Sequence, residues 1–355
     1  MSEAFALAAL VGASAEGIPR SAAGLLARIA IPPALRDGGG PLVARAVLAE
    51  ALNIVLLADL VDRTPTAASY MAALAADGGT LVLDHGALRT VDLPAMGALP
   101  SGRLAIARIL EPLGYEQSGV YPLDALRMTG YSYTHADFPE DVPQFFVSEL
   151  HVDRFSQAFA AAMTRVTADS TDPLDAWAIE QLQLLAADRA LPLPAAAALL
   201  PRLVLCFGRR HGDPLLSDYQ TLLGESAEAA WIATEGNVFN HATHRVDDIE
   251  ALVAAQVARG VNIKQAVEVS ASGRVRQTAF RADMVDRSLI GADGERQPHR
   301  VPGSFFEFIE RSTLDGGPAG EGRLDLTFDS SNAQGIFAMT AARQGRPSPR
   351  APDLA

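Results

Sequence analysis

One order of elements occurs twice in this chain, and it restricts the fold more than any single motif does. In the first copy a strand around 80–90 carries His85. A helix, Gly102–Leu113, follows, and then three strand patterns, Tyr115–Tyr121, Tyr131–Thr134 and Gln144–Leu150. In the second copy the strand Gly236–Val246 carries His241, and the helix Asp248–Arg259 is stopped by Gly260. Strands Ile263–Ser270, Arg274–Arg281 and Gly303–Arg311 complete that set. Apolar residues three and four apart mark the helices. Short runs rich in β-branched and aromatic residues, bounded by turn residues, mark the strands. The spacing supports a duplication: Glu149 follows His85 by 64 positions, and Glu307 follows His241 by 66. Both closing strands begin near a proline, Pro143 and Pro302, and run through a Phe-Phe pair.

The remainder of the chain is helical in pattern. Residues 1–79 hold short Ala/Leu-rich segments, a break at Asp37 to Gly40, and helices within Pro41–Val61 and Thr66–Ala76. Residues 153–230 form an Ala/Leu-rich helical insert jointed at Pro192, Pro194 and Pro201. This doubled βαβββ order resembles the plan of the vicinal oxygen chelate enzymes. There each module supplies half of a cupped sheet, and a metal sits inside the cup. The expected fold class is therefore α+β. An N-terminal helical region (1–79) packs on the core, a first module (80–152) follows, and a helical insert (153–230) leads to a second module (231–342) that carries the Glu ligand. A disordered tail (343–355), rich in Pro, Arg and Gly, ends the chain.

Composition excludes several function classes. A net charge of −13 and a pI near 5.0 argue against nucleic-acid binding, which calls for a basic field. A single cysteine, Cys206, excludes an internal disulfide framework and a cysteine-rich zinc site. The N-terminus lacks the basic start of a signal peptide. The most apolar helical run, Ala51–Val61, carries Asp59 and is too short to cross a bilayer. The expected setting is cytoplasmic, without a membrane partner.

The chemistry lies in strand parity. Residues an even number apart on a strand share a face, so His85 goes with Arg89 and His241 with Arg245, while His244 faces away from His241. Glu307 shares a face with Phe305 and Ile309. Two histidines and a carboxylate converging in a cup are the donor set of a mononuclear non-heme iron site with three open facial positions. A 2-oxo acid fills two of these, through its C1 carboxylate and C2 carbonyl, and dioxygen the third. A neighbouring guanidinium suits a second substrate carboxylate. Other readings stay open on these residues alone. A strand histidine is often a hydrogen-bonded structural residue, Glu307 could pair with an arginine, and His135 and Glu149 are rival ligands.

Six stretches carry a resemblance: His85–Arg89, Tyr133–Asp137, Phe146–Leu150, Phe239–Val246, Arg276–Thr278 and Phe305–Arg311. In order and spacing they are similar to the 2-oxoadipate dioxygenase/decarboxylase family, which is related in fold to hydroxymandelate synthase and 4-hydroxyphenylpyruvate dioxygenase. The resemblance implies an Fe(II) enzyme with His85, His241 and Glu307 as metal ligands and Arg89 holding a substrate carboxylate. It implies conversion of 2-oxoadipate and dioxygen to 2-hydroxyglutarate and carbon dioxide, in lysine breakdown. Arg245 is a weaker candidate for the anchoring role or for a structural ion pair. Gln277 is a candidate for hydrogen bonding to substrate or ligand. The competing functions are an oxygenase of aromatic 2-oxo acids, a metal-dependent isomerase or lyase, and a metal-free binding protein.

Overall fold

Twelve strands form among the residues that the computed structural model describes, which are 5–13, 15–36, 40–316 and 322–329. They are β1 (Leu42–Ala44), β2 (Leu83–Asp92), β3 (Tyr115–Leu123), β4 (Met128–His135), β5 (Gln144–His151) and β6 (Ala190–Pro192). The later six are β7 (His241–Arg245), β8 (Glu268–Val269), β9 (Val275–Ala279), β10 (Met284–Ile290), β11 (Arg296–Pro302) and β12 (Phe305–Arg311). Eight of them join in one sheet, in the order β3-β4-β5-β2-β7-β12-β9-β8.

The two halves of that order mirror each other. β2 pairs parallel with β5 and β7 parallel with β12, while β4–β5 and β9–β12 are antiparallel. The helices Leu104–Leu110 and Ile249–Ala258 follow the first strand of each half. This is the expected doubled βαβββ plan. The halves meet where β2 and β7 run antiparallel, with His85 opposite Thr243 and Ala87 opposite His241. Both histidines therefore stand at the same seam, which the separate modules could not arrange alone.

Register corrects one inference from spacing. Gln144 lies opposite His85, and Phe305 lies opposite His241. Counting from those pairs, the counterpart of Glu307 is Phe146, and Glu149 corresponds to Glu310. The near-equal spacings arise because the second module shortens its early strands but carries an extra antiparallel ribbon, β10–β11, before β12. That ribbon was not read from the sequence. The strand expected over Gly236–Val246 is also shorter, because the helix Ala227–Glu235 runs up to Gly236.

Alternation sorts the sheet into two faces. Leu88, Phe145, Val147, Ala242, Phe306 and Phe308 pack into a large core with the helices. Gly86 is required on this face: a Cβ there would lie 2.1 Å from the Phe239 ring. The helix Arg45–Arg63 is buried nearly all round, the signature of a helix enclosed by other elements. It packs against Phe5–Val11, Ala22–Leu26 and Leu193–Cys206, and β1 pairs with β6. The N-terminal region and part of the insert thus share one core. The rest of the insert, through Phe159, Met163, Leu222 and Trp231, joins Val91, Leu123, Met128 and Leu150 in a second core. No helix among the described residues is long and apolar enough to cross a membrane. The tail 343–355 lies outside the described residues.

Candidate metal centre

The opposite face of the sheet is polar at its middle. His85 on β2, His241 on β7 and Glu307 on β12 are buried there, each offering a donor atom within 4.8 Å of the others. His241 Nε2 lies 2.8 Å from Glu307 Oε2, and His85 Nε2 lies 3.9 Å from the same oxygen. Thr243 sits between them. Its hydroxyl is 3.1 Å from His85 Nε2 and donates to Glu307 Oε2 at 3.3 Å.

Each ligand candidate is held from behind. Asp84 Oδ2 meets His85 Nδ1 at 2.8 Å, and Asn240 Nδ2 meets His241 Nδ1 at 3.0 Å. Gln277 Nε2 donates to Glu307 Oε1 at 2.6 Å. Partners of this kind fix ring orientation and leave the Nε2 atoms and Glu307 Oε2 facing one another. Asp84 reaches its neighbour because a β-bulge between Leu83 and His85 breaks the strict alternation of β2. The sequence held the signal, since an Asx residue precedes each histidine, Asp84 before His85 and Asn240 before His241.

The electrostatics favour a cation. Burial lowers the His241 imidazolium against the pull of Glu307, so the ring is neutral at neutral pH. Burial works to raise the Glu307 carboxyl, but His241, His85 and Gln277 outweigh it and hold the group below its ordinary range. Burial also opposes ionisation of Asp84, yet the charge of Arg311 and the contact with His85 keep it far below the usual carboxylate range. A neutral imidazole beside an ionised carboxylate is the protonation state that metal binding requires.

A cleft opens over these groups. Ala87, Phe146, Ser148, Gln277, Phe328 and Asp329 line it with the triad and Asn240. Arg89 takes the next inward position along β2, opposite Ser148, and is fully buried. Its guanidinium carbon lies 4.9 Å from the centre of the Trp231 ring, a contact that the helix Ala227–Glu235 supplies. Burial pushes the Arg89 guanidinium down to about 10, against the opposing charge of Glu228. Arg245 is elsewhere: its Nη1 lies 3.9 Å from Asp84 Oδ1, and neither arginine is among the residues that line the cleft.

The rival ligands are occupied in other ways. His135 Nε2 is 3.0 Å from the Leu113 carbonyl, while its Nδ1 accepts from the Asp137 and Phe138 amides. Glu149 points to the other face, where Asp92, Glu149 and His151 also come within reach of one another. There the Arg103 amide donates to Glu149 Oε2 at 2.6 Å, Ser101 donates to Asp92, and Thr129 meets His151 Nε2.

Comparison with known proteins bears on the family and the fold. The sequence profile of the family described as 2-oxoadipate dioxygenase/decarboxylase matches residues 50–338. The chain belongs to the 2-oxoadipate dioxygenase/decarboxylase family. Its name denotes an enzyme acting on 2-oxoadipate, and membership points to that activity for this chain. A rice (Oryza sativa subsp. japonica) protein named 2-oxoadipate dioxygenase/decarboxylase, chloroplastic/amyloplastic, is 25% identical over 96% of this chain and 92% of its own length. Among solved structures, a putative glyoxalase superfamily protein from Ralstonia eutropha JMP134 is 51% identical, with a TM-score of 0.86 over 92% of this chain and 98% of that one. Rice hydroxyglutarate synthase in complex with 2-oxoadipate is 21% identical, with a TM-score of 0.64 over 87% of this chain and 98% of that one. These likenesses place the α+β fold of this family member among glyoxalase superfamily, or vicinal oxygen chelate, proteins.

Proposed function

We propose that this protein is an Fe(II)-dependent dioxygenase that decarboxylates and hydroxylates a 2-oxo dicarboxylic acid. The substrate we assign is 2-oxoadipate, converted with dioxygen to 2-hydroxyglutarate and carbon dioxide, a step of lysine breakdown. Carbon and oxygen balance in that conversion without a second 2-oxo acid. The observation that carries the reading is the grouping of two imidazoles and one carboxylate within 4.8 Å on a buried sheet face. That donor set would fit iron(II), since two neutral imidazoles and a carboxylate are a donor combination this metal takes. When bound, the metal supplies Lewis acidity toward the 2-oxo acid and redox capacity toward dioxygen.

The side chains divide the remaining work. His85 and His241 present Nε2, and Glu307 presents Oε2, while Asp84, Asn240 and Gln277 restrain their far atoms. Arg89 is assigned to the substrate's remote carboxylate, since it is the cation on the same strand face as His85 and guanidinium binds carboxylate in a two-point fork. Arg245, close to Asp84, is the weaker assignment for that role and suits an ion pair. Phe146 and Phe328 line the cleft with apolar surface and limit water there.

Oxygen-electrode measurements after anaerobic reconstitution with Fe(II) test the reading. A panel of 2-oxo acids should give oxygen uptake with 2-oxoadipate above monocarboxylic and aromatic analogues, with carbon dioxide released in equal amount. Failure to retain iron together with no substrate-dependent uptake would sink it.

A further inference from the structure

Arg311 ends β12 four residues beyond Glu307, and its side chain is completely buried. It grips Asp84 with a fork: Nε lies 2.9 Å from Oδ1, and Nη2 lies 3.0 Å from Oδ2. Its remaining nitrogen, Nη1, donates to the carbonyls of Asp325 at 2.8 Å and Thr327 at 3.0 Å. One guanidinium thus joins the carboxylate behind His85 to a separate stretch of chain, residues 322–329.

That stretch forms part of the cleft. The Phe328 ring stands edge-on to His85 with centroids 4.9 Å apart, and the Arg311 guanidinium carbon lies 5.2 Å from the Phe328 ring centre. Both modules tether it. The Phe328 amide donates to Tyr121 Oη of β3 at 3.2 Å. Arg274 Nε donates to Asp325 Oδ2 at 2.8 Å, and the Ala271 amide donates to Asp329 Oδ2 at 2.8 Å. The Asp325 amide donates to the Ser312 carbonyl at 3.0 Å. Loss of the Arg311 guanidinium would remove one of the tethers of this stretch and leave Asp84, a buried charge, with Arg245 at 3.9 Å as its nearby cation, so both contacts are weakened together.

We propose that docking of residues 322–329 over the cleft and metal binding are coupled, with Arg311 as the positioning residue that links them through Asp84 to His85. This rests on the metal-centre reading above. An ion on His85 Nε2 fixes the ring and strengthens the pull of its Nδ1 side on Asp84. A fixed Asp84 holds the Arg311 fork in the one orientation that also reaches the Asp325 and Thr327 carbonyls. Coupling of this kind is reciprocal: whatever factor the metal adds to docking, docking adds to metal affinity.

Hydrogen–deuterium exchange on the full chain, with and without saturating Co(II), tests the coupling. Co(II) should slow exchange of the Asp325, Thr327 and Phe328 amides by about tenfold. Arg311→Lys keeps the charge but loses the fork. It should lose most of that slowing and bind Co(II) about 10- to 100-fold more weakly. Should Arg311→Lys fail to fold, Phe328→Ala carries the test, because loosening the stretch must weaken Co(II) binding if the two are linked. Co(II) binding by the parent without slowed exchange at these amides overturns the coupling and leaves the metal centre standing. So does Phe328→Ala binding Co(II) as tightly as the parent. A parent that binds neither Co(II) nor Fe(II) overturns both.

Discussion

Replacing Gln277 by leucine isolates the contribution of one hydrogen bond to the metal centre. The side chain of Gln277 is close in size to leucine and stands on the cleft face of β9, where β9 pairs with β12. Its amide donates to Glu307 Oε1 at 2.6 Å, and Glu307 is fully buried. A hydrogen bond to an ionised acceptor contributes about 1.5–3 kcal/mol, and a buried carboxylate oxygen left without its donor loses that stabilisation outright. Two consequences follow. The Glu307 carboxyl moves upward from its depressed position, since one of the groups that hold it low is gone. Metal affinity falls by about 10- to 100-fold, the range expected when a partner that orients a ligand is removed. Protons compete with the metal for Glu307, so the loss should be larger at pH 6 than at pH 8. Anaerobic calorimetric titration with Fe(II) or Co(II) at both pH values measures this. Thr243→Val, which removes a longer bond of 3.3 Å to the other oxygen, is a graded comparison and should cost less. Affinity of Gln277→Leu within twofold of the parent at both pH values would refute the argument that Gln277 orients Glu307.

Three further outcomes are expected. Arg89→Met should lower kcat/KM for 2-oxoadipate by about a hundredfold through loss of a charge-assisted fork, while metal affinity changes little; equal loss of both would make Arg89 a structural residue. Gly86→Ala places a methyl 2.1 Å from the Phe239 ring and should destabilise the fold by about 1–3 kcal/mol in urea unfolding, with the fold retained. Glu50, fully enclosed in the helix Arg45–Arg63, is pushed up to about 8 by burial and then by the charge of Asp141. A group raised in this way favours folding below its unfolded pKa and disfavours it increasingly as pH rises toward 8. Glu50→Gln should therefore exceed the parent in stability by a margin that widens from pH 6 to pH 9, reaching on the order of 4 kcal/mol. A pH-independent difference in denaturation midpoint would contradict it.

Much of the centre was legible in the chain because β-strands impose a period of two. That period put His85 with Arg89 and sent His244 to the far face, where its Nδ1 meets Tyr70 at 2.8 Å. It could not reveal Asp84, which period two assigns to the wrong face and which only the bulge turns toward His85. Spacing paired Glu149 with Glu307, whereas hydrogen-bond register pairs Phe146 with it, because insertions of different length balance in the count. Trp231 beside Arg89 was equally out of reach, since nothing local to the buried helix Ala227–Glu235 reports which strand it covers.

The sequence by itself determined the doubled βαβββ order, the two histidine-bearing strands and the carboxylate strand, since hydrophobic period, turn residues and chain order are local properties. Tertiary structure alone decided that β2 and β7 lie side by side, which brings His85 and His241 to one seam. It also decided that Arg311 reaches Asp84 across 227 positions and that Phe328 closes on His85. Those choices follow from strand pairing and burial of charge, energies summed over contacts between distant segments that no window of sequence contains.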